Sequence, residues 1–99
     1  MLEAGLYLLL KAEMKAGVIE NIEFQPKVDL TEAKIRLRPD FLVTFDTGEK
    51  AYFEAKGVET DAWKLKLKLY RFYGDLPLYI YKGTMTRPKL VEKVIPHRK

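Results

Sequence analysis

The strongest constraint on this chain is the alternation that runs through residues 38–56. Taken with a period of two, Pro39, Phe41, Val43 and Phe45 fall on one face of an extended chain. Ala51, Phe53 and Ala55 join them beyond a short polar stretch, Asp46-Thr47-Gly48-Glu49. Arg38, Asp40, Thr44, Asp46, Tyr52, Glu54 and Lys56 fall on the other face. A glycine closing a short polar loop between two such runs predicts a β-hairpin, with Gly48 at positive φ. Pairing across that loop brings Asp40 close to opposite Glu54 and Ala55, so two carboxylates and one ammonium share a small patch of sheet.

Carboxylates held side by side repel, and the repulsion is relieved by protonation, by a basic partner or by a cation. A site of oxygen ligands with open positions suits a hard divalent ion such as Mg²⁺. Lys56 leaves the strand on the same side as Glu54. There it would orient or deprotonate an attacking water, or neutralise charge on a phosphate. The same alternation also describes the solvated face of an ordinary antiparallel sheet, and spacing alone does not choose between the two.

Composition narrows the chemistry. Ninety-nine residues form one domain with a single core. There is no cysteine, which removes thiolate metal sites and cysteine nucleophiles, and the lone His97 in a basic tail leaves nothing from which to build a Ser-His-Asp triad. No apolar run approaches the ~20 residues that span a bilayer, and the start lacks a signal-peptide pattern, so a cytoplasmic protein without a membrane partner is expected. The net charge of +4 is unevenly spread. Lys64, Lys66, Lys68, Arg71, Lys82, Arg87, Lys89, Lys93, Arg98 and Lys99 face only Asp75 and Glu92 over residues 64–99. Such an excess suits a polyanionic partner, and equally a basic surface with no partner.

Residues 2–16 read as a helix ending at Gly17, with Glu3 on the stripe of Tyr7, Leu10 and Met14. That position lets Glu3 reach the carboxylates; it also suits an acid at a helix start with no further role. Ile22 to Leu30 alternates as one half-buried strand, with Pro26 marking an edge or a bulge and Gln25 on the polar side. Ile35-Arg36-Leu37 continues the alternation into the hairpin, placing Arg36 and Arg38 on Asp40's face. Residues 60–73 alternate like a strand yet carry helix signals, Thr60 as N-cap, Asp61 in the first turn and Gly74 at C′, and a helix is predicted. Its wheel sets Lys64, Lys68 and Arg71 opposite Ala62, Leu65, Leu69, Phe72 and Tyr73, with Lys66 inside the apolar arc and Trp63 and Tyr70 as core. Leu76 to Tyr81 reads as a strand parallel to the one bearing Glu54. Thr86 to Val94 reads as a short helix with Pro88 in its first turn, and Pro96 to Lys99 as a loose basic tail.

Pro39-Asp40 followed across a hairpin by Glu54-Ala55-Lys56 resembles the signature of the PD-(D/E)XK nuclease superfamily. The resemblance extends to a phage-encoded family of small proteins within it, some regarded as Holliday-junction-resolving endonucleases. Glu3, the Ala16-Gly17 helix end, Gln25-Pro26, Arg38-Pro39-Asp40-Phe41, Glu54-Ala55-Lys56-Gly57 and the run Lys64 to Leu69 occur in that family's order. The chain departs from the pattern at its start, where relatives carry several residues before the glutamate. The resemblance implies an α/β fold with a restriction-endonuclease-like α-β-β-β-α-β core, a mixed sheet flanked by helices. It implies a Mg²⁺-dependent DNA endonuclease, with Mn²⁺ as a substitute, selective for branched DNA and working as a homodimer in the host cytoplasm. Asp40, Glu54 and the Ala55 carbonyl would hold the metal, with Glu3 assisting, and Lys56 would be the catalytic lysine. The basic run would place Lys64, Lys66 and Lys68 on substrate; Gln25, Arg36 and Arg38, from their place on the polar face, are further candidates for binding it, with the two arginines equally able to pair with nearby acids. Two alternatives stay open at this level: a non-catalytic nucleic-acid-binding module, and a nuclease for single strands, flaps or RNA.

Overall fold

The computed structural model describes residues 1–97. In chain order the elements are α1 (Leu2–Lys15), β1 (Ile19–Phe24), β2 (Val28–Asp29), β3 (Arg36–Leu37), β4 (Phe41–Phe45), β5 (Lys50–Ala55), α2 (Asp61–Tyr73), β6 (Leu78–Gly83) and β7 (Pro88–Val94). Five strands form a mixed sheet in the order β1-β4-β5-β6-β7, and β2 pairs with β3 as a separate ribbon. Only β5 and β6 run parallel; the other neighbours are antiparallel. A parallel pair needs a crossover, and α2 provides it.

Each turn has a local cause. Gly17 takes φ 86° after α1, and the Gly17 and Val18 N–H groups donate to the Met14 and Glu13 carbonyls, a Schellman-type stop. Gly48 takes φ 89° in the β4–β5 loop, where the Phe45 N–H donates to the Glu49 carbonyl at 2.8 Å and the Gly48 N–H to the Phe45 carbonyl at 2.9 Å. The Thr60 hydroxyl accepts from the Trp63 N–H at 3.1 Å and caps α2.

The sheet is covered on both sides. Leu6 and Leu10 of α1 pack on Ile19, Phe41, Val43, Ala51 and Phe53. Trp63, Leu67 and Tyr70 of α2 pack on Tyr52, Leu78 and Ile80, on Val28 and Leu37 of the small ribbon, and on Leu30 just beyond β2. The period-two reading of the hairpin holds, but its second face is not a wet one: Tyr52 and Glu54 are buried there beneath α2.

Several sequence expectations are corrected. The run from Ile22 to Leu30 is two strands, because Gln25 adopts φ 47° and Pro26 follows it, which breaks the ladder. The Ile35 to Leu37 stretch does not run on into the hairpin; it pairs with β2, Val28 against Leu37 and Asp29 against Arg36. On α2 the buried stripe is Trp63, Leu67 and Tyr70, whereas Leu65, Phe72 and Tyr73 are exposed. Gly74 caps α2 in an extended conformation, φ −65°, packed so closely on the Tyr70 ring that a Cβ would collide with it. The segment from Thr86 to Val94 is not a helix. Pro88 opens strand β7, whose residues pair with β6 from Gly83 against Pro88 to Leu78 against Val94. A proline at the first position of an edge strand gives up no ladder bond that a central strand would need. Arg98 and Lys99 lie outside the described residues; His97 donates its N–H to the Arg71 carbonyl at 2.6 Å at the end of α2.

Candidate functional site

The β4–β5 register fixes the site. Phe41 stands against Phe53 and Leu42 against Tyr52, so the next step of the ladder sets Asp40 level with Glu54. Two hydrogen bonds cross there: the Asp40 N–H donates to Glu54 Oε1 at 3.1 Å, and the Ala55 N–H donates to Asp40 Oδ2 at 2.7 Å. Each acid thus accepts from main chain next to the other, which fixes both carboxylates. Behind them the buried Pro39 anchors the entry to β4, and the Gln25 N–H donates to the Asp40 carbonyl at 2.9 Å.

Glu54 is only 7% exposed, and it is the buried charged residue among those described. Burial, reinforced by the negative charge of Asp40, raises its pKa to about 7, with Lys56 and the Asp40 N–H pulling the other way. Glu3, on the first turn of α1, is raised above the usual carboxylate range by burial first and then by Asp40, whose carboxyl it faces. Asp40 therefore acts on both of the other acids, and a lysine acts against it at Glu54.

That lysine is Lys56. Its Nζ lies 3.3 Å from Glu54 Oε2 and 4.3 Å from the centroid of the Trp63 ring. A cleft of about 210 Å³ opens beside it, lined by Leu37, Arg38, Glu54, Lys56, Thr60, Trp63 and Lys66 among others. Three cationic side chains against one carboxylate make this cleft suited to a phosphate.

The remaining predicted residues separate into groups. Arg38 and Lys66 line the cleft. Lys64 and Lys68 are exposed on the outer side of α2 and do not line it. Arg36 is engaged elsewhere, its Nε 2.6 Å from Asp29 Oδ1 on the small ribbon. Gln25 joins the site through its main chain, as the partner of the Asp40 carbonyl. Glu3 lines a second cleft of about 170 Å³ with Met1, Ala4, Tyr7, Phe24 and Phe41. Phe24 is 59% exposed there.

Trp63 and Thr60 enter the site without having been singled out for it. The stripe of Trp63, Leu67 and Tyr70 was present in the sequence, but a larger apolar arc competed with it. Trp63 is 5% exposed, and its Nε1 is buried without a hydrogen-bond partner among the described residues. The ring packs in the core with Leu37, Leu67 and Tyr70, which holds the indole where it is.

The donor set fits a hard divalent cation. Asp40 and Glu54 offer oxygen only, their mutual repulsion is what an ion relieves, and a buried carboxyl held near neutrality is poised to exchange its proton for one. Among the described residues no group of three or more His, Cys, Asp or Glu side chains is drawn together tightly enough to hold an ion, so the fit rests on this pair alone. No described helix is long and apolar enough to cross a membrane. Comparison of the chain with models of protein families, with characterised proteins and with solved structures finds no match.

Proposed function

We propose that this chain is a divalent-metal-dependent endonuclease that hydrolyses phosphodiester bonds in DNA, selective for branched structures. One observation carries the reading: Asp40 is hydrogen-bonded beside Glu54, and Glu54 and Lys56 pair on the wall of a cationic cleft, on the residues that resemble the PD-(D/E)XK signature. The α1, β4–β5 and β6 arrangement around the α2 crossover supports a restriction-endonuclease-like core, with β7 added at its edge.

Asp40 and Glu54 would hold Mg²⁺ or Mn²⁺, with the Ala55 carbonyl. When bound, the ion supplies Lewis-acid activation of the phosphodiester. Lys56 orients or activates the attacking water and screens the negative charge on the phosphate oxygens. Attack by water forms a P–O bond and breaks the bond to the 3′-oxygen; the water gives up a proton and the departing oxygen takes one up, leaving a 5′-phosphate and a 3′-hydroxyl. Arg38 and Lys66, which line the same cleft, steady the phosphate. Lys64 and Lys68, outside it, make sequence-independent backbone contacts whose strength falls with salt. A domain of this size covers little of a junction, so a symmetric dimer presents two sites.

The decisive experiment compares a labelled four-way junction with linear duplex and single strand, in Mg²⁺ and in EDTA. Cleavage of the junction should require the metal. Asp40→Ala and Lys56→Ala should each lower the rate by at least about 10²-fold. Unchanged cutting by both variants would refute the enzyme assignment. Binding without cutting in any metal would leave a nucleic-acid-binding module, and a preference for single strands would move the substrate class.

A further inference from the structure

Lys56 is held at two points of different kind. One is the Glu54 carboxylate, 3.3 Å from Nζ; the other is the face of the Trp63 indole, 4.3 Å from Nζ to the ring centroid. The first hold is vulnerable. An ion seated on Asp40 and Glu54 competes for the same carboxylate and repels the ammonium, and Arg38 and Lys66 in the same cleft add to that repulsion. The second hold is a neutral ring, for which the ion does not compete in this way. We propose that Trp63 is the positioning residue that keeps the Lys56 ammonium in the cleft when Glu54 turns to a metal ion. The inference rests on the endonuclease reading of Asp40, Glu54 and Lys56.

The placing of Trp63 supports it. Thr60 Oγ1 accepts from the Trp63 N–H at 3.1 Å, which ties this residue to the start of α2. Its ring is packed into the core shared with Leu37, Leu67 and Tyr70. Among the described residues the indole N–H has no partner, and it is the ring face that meets the Lys56 ammonium. A cation over the face of a buried aromatic ring is attracted by the ring quadrupole, and more strongly when both are shielded from water. Trp63→Phe keeps an aromatic face and removes the unpaired donor. Trp63→Leu removes the face.

The test reads the Lys56 side chain directly, by NMR of the Cε methylene protons, which a ring beneath them shifts upfield. Carboxyl ¹³C signals of Asp40 and Glu54 report Mg²⁺ binding in the same samples. In the wild-type chain the upfield shift should persist when Mg²⁺ is added; in Trp63→Phe it should be partly kept, and in Trp63→Leu lost. With junction DNA, Trp63→Leu should lower kcat about tenfold with KM unchanged, and Trp63→Phe should recover to within about threefold. Loss of the wild-type shift on adding Mg²⁺, or an unaltered shift and kcat in Trp63→Leu, overturns the proposal while the endonuclease reading stands. Carboxyl signals that do not respond to Mg²⁺ overturn both. Should Trp63→Leu fail to fold, the wild-type titration and Trp63→Phe still decide.

Discussion

The two faces of the central sheet are made from the same strands, yet they are used differently. Against α1 the sheet presents Phe41, Val43, Ala51 and Phe53, all apolar and all buried. Against α2 it presents Tyr52, Leu78 and Ile80 and, at the end of β5 beside Asp40, the buried Glu54. The first face needs only a helix with an apolar stripe to cover it. The second accepts a carboxyl that burial and a neighbouring acid both disfavour in its charged form. The difference teaches that the α1 face secures the fold, while the α2 face gives up stability to hold a poised acid beside a lysine.

The largest test of that contrast removes a side chain from the α1 face. Phe41→Ala should destabilise by about 3–5 kcal/mol, because the ring is almost completely buried against Tyr7 and Phe24 and leaves a cavity. Urea denaturation measures it, and the loss should be the same at pH 5 and pH 8. A pH-dependent loss would mean that the two faces are coupled.

Glu54→Gln should act in the opposite direction. The folded-state pKa of Glu54, about 7, lies above the unfolded value, so the native state binds a proton more tightly than the unfolded chain. The stability linked to that proton is fully present below about pH 4.5 and is lost as pH rises through about 7. The wild-type chain in EDTA should therefore lose roughly 2–3 kcal/mol between pH 4.5 and 8, and Glu54→Gln should flatten that slope. Thermal melts across this range check it. Millimolar Mg²⁺ should flatten it as well, since a cation at the pair favours the charged carboxylate. A wild-type chain with no such slope would make the α2 face as inert as the other.

Smaller effects separate buried polar contacts from surface ones. Tyr52→Phe removes the hydrogen bond from the phenol to Asp75 Oδ2, 3.2 Å long, and should cost about 1 kcal/mol in chemical denaturation. Arg71→Ala breaks the pair with Glu92, in which both side chains are about 40% exposed, and should cost less than about 1 kcal/mol, shrinking further in high salt.

Much of this was legible along the chain. The alternation of residues 38–56, Gly48 at the turn, Gly17 after α1, Thr60 before α2 and the register of Asp40 with Glu54 are short-range matters, set by side-chain period and turn chemistry. The misreadings fall where a distant partner chooses. Thr86 and Pro88 carry a helix-start signal, but β6 offers an open edge and the segment pairs with it. Residues 60–73 carry two apolar stripes, and the ribbon of Val28, Leu30 and Leu37 selects the one with Trp63. The break at Gln25 likewise goes unannounced by periodicity, and only Pro26 marks it.

By itself the amino-acid sequence determined that acids at 40 and 54 and an amine at 56 leave a hairpin on one side, because a strand turns over every second residue. Only the tertiary structure decided that α2 lies over that side. Covering it removes water from Glu54, lifts its pKa and brings the Trp63 ring beneath the Lys56 ammonium. The reason is physical: strand period and turn type are local, whereas desolvation depends on what packs above a residue from elsewhere in the chain.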